Sequence, residues 1–349
     1  MAAKQHVLVT GVNGYLGAHI VDQLVKTGYR VRGTVRSGKL DLARESNAMY
    51  GKDVEIVAAD DLAFGDFTEA LKGVDAVIHA AAPLFGRASP EEALTVREAA
   101  IDGAMNILRQ TEKMGIKRFV LVSSLATVAS PDDRTSLVWT DKDWIEVSRE
   151  QALASKDPGI VYVTEKVLAE RAVWEFADTH PHVDITTVNP PYFLGPYAPN
   201  FRFTDASLAQ MSTNNLLYLL LDPAGTPPIP YLPGIDVRDV ARATVHALTA
   251  PPTSEVGRKR LLFLPHFVGW PEVVEHIAQE RPELRARLSR PARTDFQGPP
   301  QKTNPLDNSR AVEILKLGEL NDWKTTVLAG VDTLVELEKR FAQEGKTFH

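Results

Sequence analysis

Three glycines close to the N-terminus, Gly11, Gly14 and Gly17, constrain the fold more than any other part of the sequence. They follow residues 7–9, which have the pattern of a short buried strand. They precede apolar residues at helical spacing, namely Leu16, Ile20, Leu24 and Val25. A strand, a tight turn and a helix in this order predict a dinucleotide-binding unit. In such a unit glycine permits the turn and the close approach of a diphosphate, and the helix N-terminus supplies free N–H groups.

Length and composition favour a large globular protein of one unit or two lobes. The 349 residues are 44% hydrophobic and 24% charged, which is enough to bury a sizeable core. The formal charge of −6 argues against nucleic-acid binding driven by bulk charge. The absence of cysteine excludes disulfide scaffolds, thiolate nucleophiles and cysteine-bound zinc. His246, His266 and His276 lack metal-ligand spacing, so no metal is predicted.

Nothing in the sequence indicates a membrane or secretory segment. No apolar run approaches the roughly 20 residues of a membrane span. Residues 1–6 lead directly into the first strand, which leaves no room for a cleaved signal. We therefore expect a cytoplasmic monomer or homodimer without a membrane or nucleic-acid partner.

Predicted strands and helices alternate along the first two thirds of the chain. Further strands are predicted at residues 29–36, 54–59, 74–83, 117–124, 183–189 and 261–264. Helices are predicted at 67–72, at 90–114, from Tyr162 onwards and at 236–248. This alternation predicts an α/β fold with a Rossmann-type, doubly wound parallel sheet. We assign residues 1–190 to that core, with 234–264 returning to it, and residues 191–349 to a smaller, mostly helical substrate-binding lobe.

The end of the second predicted strand indicates the cofactor. Folds selective for NAD usually place an acidic residue about 20 residues past the glycines, but this chain has Arg36 and Ser37 there, followed by Lys39. A guanidinium group suits a 2′-phosphate, which favours NADPH, held by Arg36 and secondarily by Lys39. The alternative is a solvated basic turn, since arginine and lysine are common in exposed turns.

Two later segments carry candidate catalytic side chains. Ser123 and Ser124 end the predicted strand at 117–124, and hydroxyl groups at that position face the ligand crevice of such a sheet. A cap at the strand end is the other interpretation of these serines. Tyr162 and Lys166 are four residues apart, so their side chains project from one face of a helix.

The predicted strand at 74–83 contains a histidine that could be mistaken for a catalytic base. His79 lies inside an apolar run, and this position is typical of a core histidine. The small residues that follow it, including Ala80, permit close approach of the backbone to a cofactor.

Together these motifs resemble the extended short-chain dehydrogenase/reductases, and within them the dihydroflavonol reductase, cinnamoyl-CoA reductase and fungal aldehyde/carbonyl reductase group. The resemblance covers residues 5 to about 265 and is carried by residues 10–17, 31–36, 72–79, 123–124, 162–170, 188–191, 195–196 and 236–241. It implies that Tyr162 donates a proton to a substrate carbonyl and that Ser124 holds the carbonyl oxygen. Lys166 would bind the nicotinamide ribose and favour the phenolate.

The same resemblance implies a set of cofactor contacts. Asp60, which stands beside Asp61 after the third predicted strand, would receive the adenine amino group. The other residues expected to bind the cofactor are Gly11, Asn13, Gly14, Tyr15, Leu16, Gly17, Arg36, Lys39, Ala80, Tyr162, Lys166, Pro190, Tyr192 and Phe193.

Two departures from the family pattern bear on the substrate and on the lysine. Glu165 precedes Lys166, where the family more often has serine. The loop at 130–134 lacks the asparagine that flavonoid-reducing relatives carry nearby. We therefore expect a small to medium, aromatic or otherwise apolar aldehyde or ketone as substrate rather than a dihydroflavonol.

Two other functions share parts of this pattern. Nucleotide-sugar epimerases and dehydratases carry the same glycine and Tyr-x-x-x-Lys motifs, but they normally retain NAD, which the basic residues at Arg36 and Lys39 disfavour. Redox-sensing NADPH-binding proteins without turnover tend to lose the tyrosine or the lysine, and both are present here. NADPH-dependent carbonyl reduction is the leading hypothesis.

Overall fold

A seven-stranded parallel sheet forms the centre of the protein. The computed structural model describes residues 4–81, 90–128, 139–148, 150, 155, 157–229, 231–290 and 306–348, with the backbone alone over 90–100. The strands are β1 (His6–Thr10), β2 (Arg30–Val35), β3 (Val54–Ala58), β4 (Ala76–His79), β5 (Arg118–Val122), β6 (Asp184–Asn189), β7 (Tyr192–Leu194), β8 (Tyr231–Asp236), β9 (Lys259–Leu262) and β10 (His266–Gly269). The large sheet has the order β3-β2-β1-β4-β5-β6-β9. This order confirms the predicted doubly wound sheet.

Helices cover both faces of the sheet. They are α1 (Tyr15–Lys26), α2 (Leu40–Asn47), α3 (Thr68–Leu71), α4 (Pro90–Lys113), α5 (Pro158–Thr179), α6 (Asn215–Leu219), α7 (Val237–His246), α8 (Thr253–Val256), α9 (Trp270–Glu280), α10 (Ser309–Leu315) and α11 (Trp323–Gln343). No helix within the described ranges combines the length and the apolar composition that crossing a membrane requires.

The first strand illustrates why the sheet is buried on both faces. Val7 and Val9 belong to a hydrophobic cluster with α1 and α7, whereas Leu8 belongs to a second cluster with α4 and α5. Successive side chains of a strand point to opposite faces, so a continuous apolar run fits a strand that helices cover on both sides. The chain reverses its strand order between β1 and β4, and ligands of such folds bind at the carboxyl ends of the strands beside this point.

Among the element boundaries that differ from those expected, two have a clear structural cause. The helix that carries Tyr162 begins four residues earlier, at Pro158, because the Asp157 side chain caps it by accepting a hydrogen bond from Gly159 N at 2.7 Å. The last strand of the large sheet begins at Lys259 instead of residue 261, with Lys259 and Arg260 only 0% and 1% exposed. Because fully buried lysine and arginine are rare unless they are paired, the sequence did not indicate that these two charged residues belong to a buried strand.

A second, three-stranded sheet lies in the region predicted to be mostly helical. Its order is β10-β8-β7, with β8 parallel to β7 and antiparallel to β10. Its strands are three to six residues long, and Pro233 and Gly234 interrupt the alternation in β8. A third hydrophobic cluster, formed mainly by α6, α9, α11 and this sheet, makes the core of the C-terminal region.

Candidate active site

The glycine turn after β1 leaves no room for side chains. Gly11 has φ +75°, and a Cβ there would lie 2.9 Å from Ala81 Cα. A Cβ on Gly17 would lie 2.1 Å from the carbonyl oxygen of Gly11, and one on Gly14 would lie 3.2 Å from the same atom. The glycine turn and the N-terminus of α1 therefore form a surface of backbone atoms without side chains. The first turn of α1 carries no acidic residue that would repel an anion there. This cradle fits the diphosphate of a dinucleotide.

Two side chains that follow the glycine turn are buried rather than turned to the crevice. Tyr15 Oη donates to the carbonyl oxygen of Gly195 at 2.8 Å, and the ring lies 5.9 Å from that of Phe193. Leu16 packs into the first hydrophobic cluster. The backbone of α1, rather than these side chains, faces the cradle.

His79, at the end of β4, lies beside the end of β1, where the glycine turn begins. Its Nδ1 is hydrogen-bonded to Thr10 Oγ1 at 2.9 Å, and the same hydroxyl accepts from Ala81 N at 3.1 Å. Burial, together with the positive charge of Lys166, lowers the pKa of His79 to about 3. A neutral, buried histidine is the core residue that the sequence predicted, and the half-buried Ala80 follows it.

The basic turn after β2 meets an acidic residue after β3. Arg36 is exposed and Lys39 is half-buried. Asp60 accepts hydrogen bonds from both the backbone N–H of Ser37, at 2.7 Å, and its hydroxyl. The side-chain bond from Ser37, then the backbone bond, lower the pKa of Asp60, with a further contribution from the charge of Arg36. The carboxylate therefore fixes the turn in which Arg36 and Lys39 stand.

Ser124, Tyr162 and Lys166 meet at the carboxyl end of the central strands. Ser124 follows β5, and its Oγ accepts a hydrogen bond from Ala126 N at 3.2 Å. Its side chain is also hydrogen-bonded to Tyr162 on α5. Lys166, one turn further along α5, has its Nζ 5.9 Å from the centroid of the Tyr162 ring. A hydroxyl, a phenol and an ammonium group thus converge on one place.

Burial sets the protonation states of this group. It raises the pKa of Tyr162, while the hydrogen bond with Ser124 acts in the opposite direction. Burial also lowers the pKa of Lys166 to about 8, against the opposing charges of Glu170 and then Glu165. At neutral pH the phenol is therefore protonated and the ammonium group is charged.

The two serines after β5 have different partners. Ser123 Oγ donates to Glu170 Oε2 at 2.6 Å in the protein interior. Ser124 is the serine bonded to Tyr162. The neighbouring hydroxyls are therefore not equivalent, although the sequence places both at the same strand end.

A buried carboxylate lies beneath the three side chains. Glu170 is 0% exposed and accepts five hydrogen bonds, from Ser123 Oγ (2.6 Å), Asn189 Nδ2 (2.7 Å), Arg260 Nε (2.8 Å), Trp174 Nε1 (3.2 Å) and Thr187 Oγ1 (3.2 Å). The sequence analysis assigned Glu170 no role. Its signal is an acidic residue four positions after Lys166, on the same helix face, directly after three apolar residues.

The segment after β6 lies beside the same group. The carbonyl oxygen of Pro190 accepts a hydrogen bond from Leu125 N at 2.8 Å, which ties this segment to the residue after Ser124. Burial, then the neighbouring Tyr162, raises the pKa of Tyr192. Phe193 follows with its carbonyl oxygen accepting from the hydroxyl of Thr213. The loop at 130–134 lies outside the described residues.

Metal ligation finds no support in the part of the chain that the structure describes. There, no group of three or more histidine, aspartate or glutamate side chains is placed to hold a metal ion. The polar groups of the crevice are instead the backbone cradle, the basic turn and the hydroxyl, phenol and ammonium groups.

Comparisons with known proteins agree with this architecture. Ketoreductase azaE of Aspergillus niger is 30% identical over 345 residues, covering 95% of this chain and 97% of that protein. Aldehyde reductase 2 of Sporidiobolus salmonicolor is 28% identical over 333 residues, covering 91% and 92%. The structure of yeast methylglyoxal/isovaleraldehyde reductase Gre2 complexed with NADPH matches with a TM-score of 0.80 at 26% identity, covering 96% of this chain and 100% of that chain.

The family itself follows from a match over most of the chain. The model of the NAD dependent epimerase/dehydratase family matches residues 7–260, from β1 into β9. This match confirms the family that the glycine, serine and Tyr-x-x-x-Lys motifs indicated. The protein is a member of the NAD dependent epimerase/dehydratase family.

Proposed function

We propose that this protein is an NADPH-dependent reductase that converts an aldehyde or a ketone to an alcohol. The observation that carries the proposal is the convergence of Ser124, Tyr162 and Lys166 beside a backbone cradle that fits a dinucleotide. The names of two relatives, an aldehyde reductase and a ketoreductase, support the same reaction. The Gre2 structure complexed with NADPH supports the cofactor.

The cofactor would lie across the carboxyl ends of β1 and β4. Gly11, Gly14 and Gly17 would face its diphosphate together with the backbone of Asn13, Tyr15 and Leu16, and Ala80 would approach it from β4. Arg36 and Lys39 are free to turn toward a 2′-phosphate because Asp60 already holds Ser37 between them. Asp60 retains oxygen lone pairs for the adenine amino group.

The nicotinamide end would lie between α5 and the segment after β6. When bound, NADPH supplies the hydride. Lys166 would hold the adjoining ribose, and Pro190, Tyr192 and Phe193 would border the ring. The hydrogen bond between Pro190 and Leu125 supports this placement, because it keeps the segment beside Ser124.

Proton transfer would be the task of Tyr162. A carbonyl oxygen that gains negative charge during reduction needs a hydrogen-bond donor and a proton, which Ser124 and Tyr162 would provide. Burial keeps the phenol protonated, which is the form that reduction requires. The charged ammonium of Lys166 would stabilise the phenolate left after the proton has moved.

The surroundings of Ser124 favour an apolar carbonyl compound. Leu125 follows it directly and Val128 four residues later, and both pack with Leu262 and Leu264 in a hydrophobic cluster that Phe267 borders. An aromatic or aliphatic substituent would lose little by entering such surroundings, whereas a sugar would leave hydroxyl groups without partners. This contrast supports a carbonyl substrate over a nucleotide sugar.

Turnover of NADPH with a panel of aryl ketones, α-keto esters and aldehydes tests the proposal. We expect Tyr162→Phe to lower kcat about 1,000-fold with unchanged NADPH affinity, because general acid catalysis contributes about that factor. Ser124→Ala should lower kcat, whereas Ser123→Ala should have a smaller effect because that hydroxyl faces Glu170. Tyr29→Phe is the control for a tyrosine far from the crevice.

Two results would contradict the proposal. Full activity of Tyr162→Phe would remove the phenol from the reaction. Isolation of the protein with stoichiometric, tightly bound NAD and without carbonyl turnover would indicate epimerase or dehydratase chemistry instead.

A further inference from the structure

The buried carboxylate of Glu170 joins four parts of the fold beneath the proposed active site. It stands on α5 and accepts hydrogen bonds from Ser123 after β5, from Thr187 and Asn189 of β6 and from Arg260 of β9. Three of these segments end at the crevice. One side chain therefore fixes the relative positions of the strand ends that carry the site.

Two of the residues that bond Glu170 also hold the backbone at Ser124. Ser123 immediately precedes it, and Asn189 Nδ2, besides bonding Glu170, donates to the carbonyl oxygen of Ser124 at 3.2 Å. Asn189 also donates to Thr127 Oγ1 at 3.2 Å, in the turn that Ser124 caps. Loss of the carboxylate would release the backbone on both sides of Ser124.

The charge of Glu170 acts on Lys166. The two residues are four positions apart on α5, so they are neighbours on one helix face. The groups that face Lys166 are the negative charges of Glu170 and Glu165, the phenol of Tyr162 and the neutral ring of His79 on β4. Glu170 acts more strongly than Glu165 in keeping the ammonium charged against burial.

Arg260 balances the carboxylate on its other side. Its guanidinium is 1% exposed, donates to Glu170 through Nε and to Thr127 Oγ1 through Nη2, and lies 3.6 Å from the ring centroid of Trp144. A buried ion pair with this many hydrogen bonds holds its geometry, but a well-packed apolar pair would give similar stability. Stability alone therefore does not account for a charge at this position.

We propose that Glu170 is a positioning residue of the reductase site: its negative charge keeps the Lys166 ammonium protonated, and its bonds to Ser123 and Asn189 align Ser124. The inference rests on the proposed function. Glu170 touches neither substrate nor cofactor and acts through these residues. A purely structural role would require its hydrogen bonds but not its charge.

The pH dependence of carbonyl reduction separates the two roles. Activity should fall at alkaline pH as Lys166 loses its proton, with a midpoint near the pKa of about 8. Glu170→Gln removes the charge at nearly constant size, so we expect this midpoint to fall by about one pH unit. We also expect kcat at lower pH to fall about tenfold, because one carboxylate oxygen is replaced by an amide nitrogen, which donates hydrogen bonds and cannot accept them.

Three control variants accompany this measurement. Glu175→Gln removes an exposed charge from the same helix and should leave the midpoint in place. Thr187→Val removes one donor to Glu170 without changing any charge, so it should lower the melting temperature but leave the midpoint in place. Glu170→Asp retains the charge and should retain the midpoint, with a lower kcat.

Glu170→Gln leaves the charge of Arg260 unbalanced and could misfold, so a further variant keeps the proposal testable in that case. The double variant Glu170→Gln with Arg260→Met removes both charges and should show the same downward shift of the midpoint. A folded Glu170→Gln or double variant with the wild-type midpoint would overturn the proposal. Absence of wild-type carbonyl reduction would refute the proposed function and this inference with it, whereas normal wild-type turnover with an unmoved midpoint refutes the inference alone.

Discussion

Replacing Gly17 with alanine would place a methyl group against the backbone of the glycine turn. The added carbon would lie 2.1 Å from the carbonyl oxygen of Gly11 and 3.0 Å from Val12 Cα, whereas ordinary contacts begin at 3.4 Å. The obstructing atoms belong to the backbone, so no side chain can rotate away. Helix α1 must therefore move away from the turn by about 1 Å.

The magnitude follows from the cost of overpacking. Forcing an extra methyl group into a packed site costs about 2 kcal/mol. For a chain of 349 residues this lowers the melting temperature by about 3 °C. If the cofactor requires the undisturbed turn, binding must restore it at the same cost, which weakens NADPH affinity roughly 30-fold.

Gly28→Ala is the matched control for this experiment. Gly28 ends α1 at the opposite edge of the sheet, has φ +92° and has open space where a Cβ would stand. Alanine there is strained by about 1 kcal/mol without a clash. Calorimetry should show that both variants are destabilised. Fluorescence titration should show that Gly17→Ala alone loses affinity for NADPH. Wild-type affinity in a destabilised Gly17→Ala would refute the reasoning.

Two further predictions concern charge. Arg36→Ala should weaken NADPH binding at least tenfold and leave NADH binding unchanged in fluorescence titrations, since a charge-assisted hydrogen bond contributes about 2 kcal/mol. Arg30→Ala, at the other end of β2, is the control and should change the affinity for neither nucleotide. Equal losses of affinity for both nucleotides in Arg36→Ala would contradict the assignment. His79 stays neutral in the folded protein down to about pH 3 but binds a proton near pH 6.5 when unfolded, so its protonation favours the unfolded chain below pH 6.5 and has no effect on stability above that pH. The free energy of unfolding therefore falls by about 1.4 kcal/mol for each unit by which the pH is lowered between these two values. Urea unfolding of His79→Gln should show a correspondingly shallower pH dependence than unfolding of the wild-type protein.

The sequence was sufficient for the parts of the fold that depend on local patterning. An apolar run followed by Gly11, Gly14 and Gly17 has few solutions other than a strand, a turn and a helix. The grouping of Ser124 with Tyr162 and Lys166 followed instead from the resemblance to the short-chain dehydrogenase/reductases, because local patterning does not fix how far a helix lies from a strand end. The roles of these residues remain predictions until the variants above are measured.

The parts that escaped prediction depend on distant partners. Arg260 looks like a surface residue until Glu170, 90 positions earlier, and the carbonyl groups of Asp141 and Asp143 are placed around it. The small sheet was not predicted for a similar reason: β7 and β10 are too short to show a period, and within the described residues each pairs with β8 alone. Differences between Ser123 and Ser124 likewise arise from partners that only the fold brings near.

The hydroxyl of Tyr15 has a consequence for attempts to divide the protein. Its bond to Gly195, the bond from His19 Nε2 to Pro196 O at 2.9 Å and the packing of α1 against α7 join the start of the chain to segments after β6. A fragment ending at β6 would leave an aromatic, apolar helix face in water. Exchanging the C-terminal region between relatives therefore means transplanting the outer face of α1 as well, and a minimal nucleotide-binding module cannot be cut from this chain at a single point.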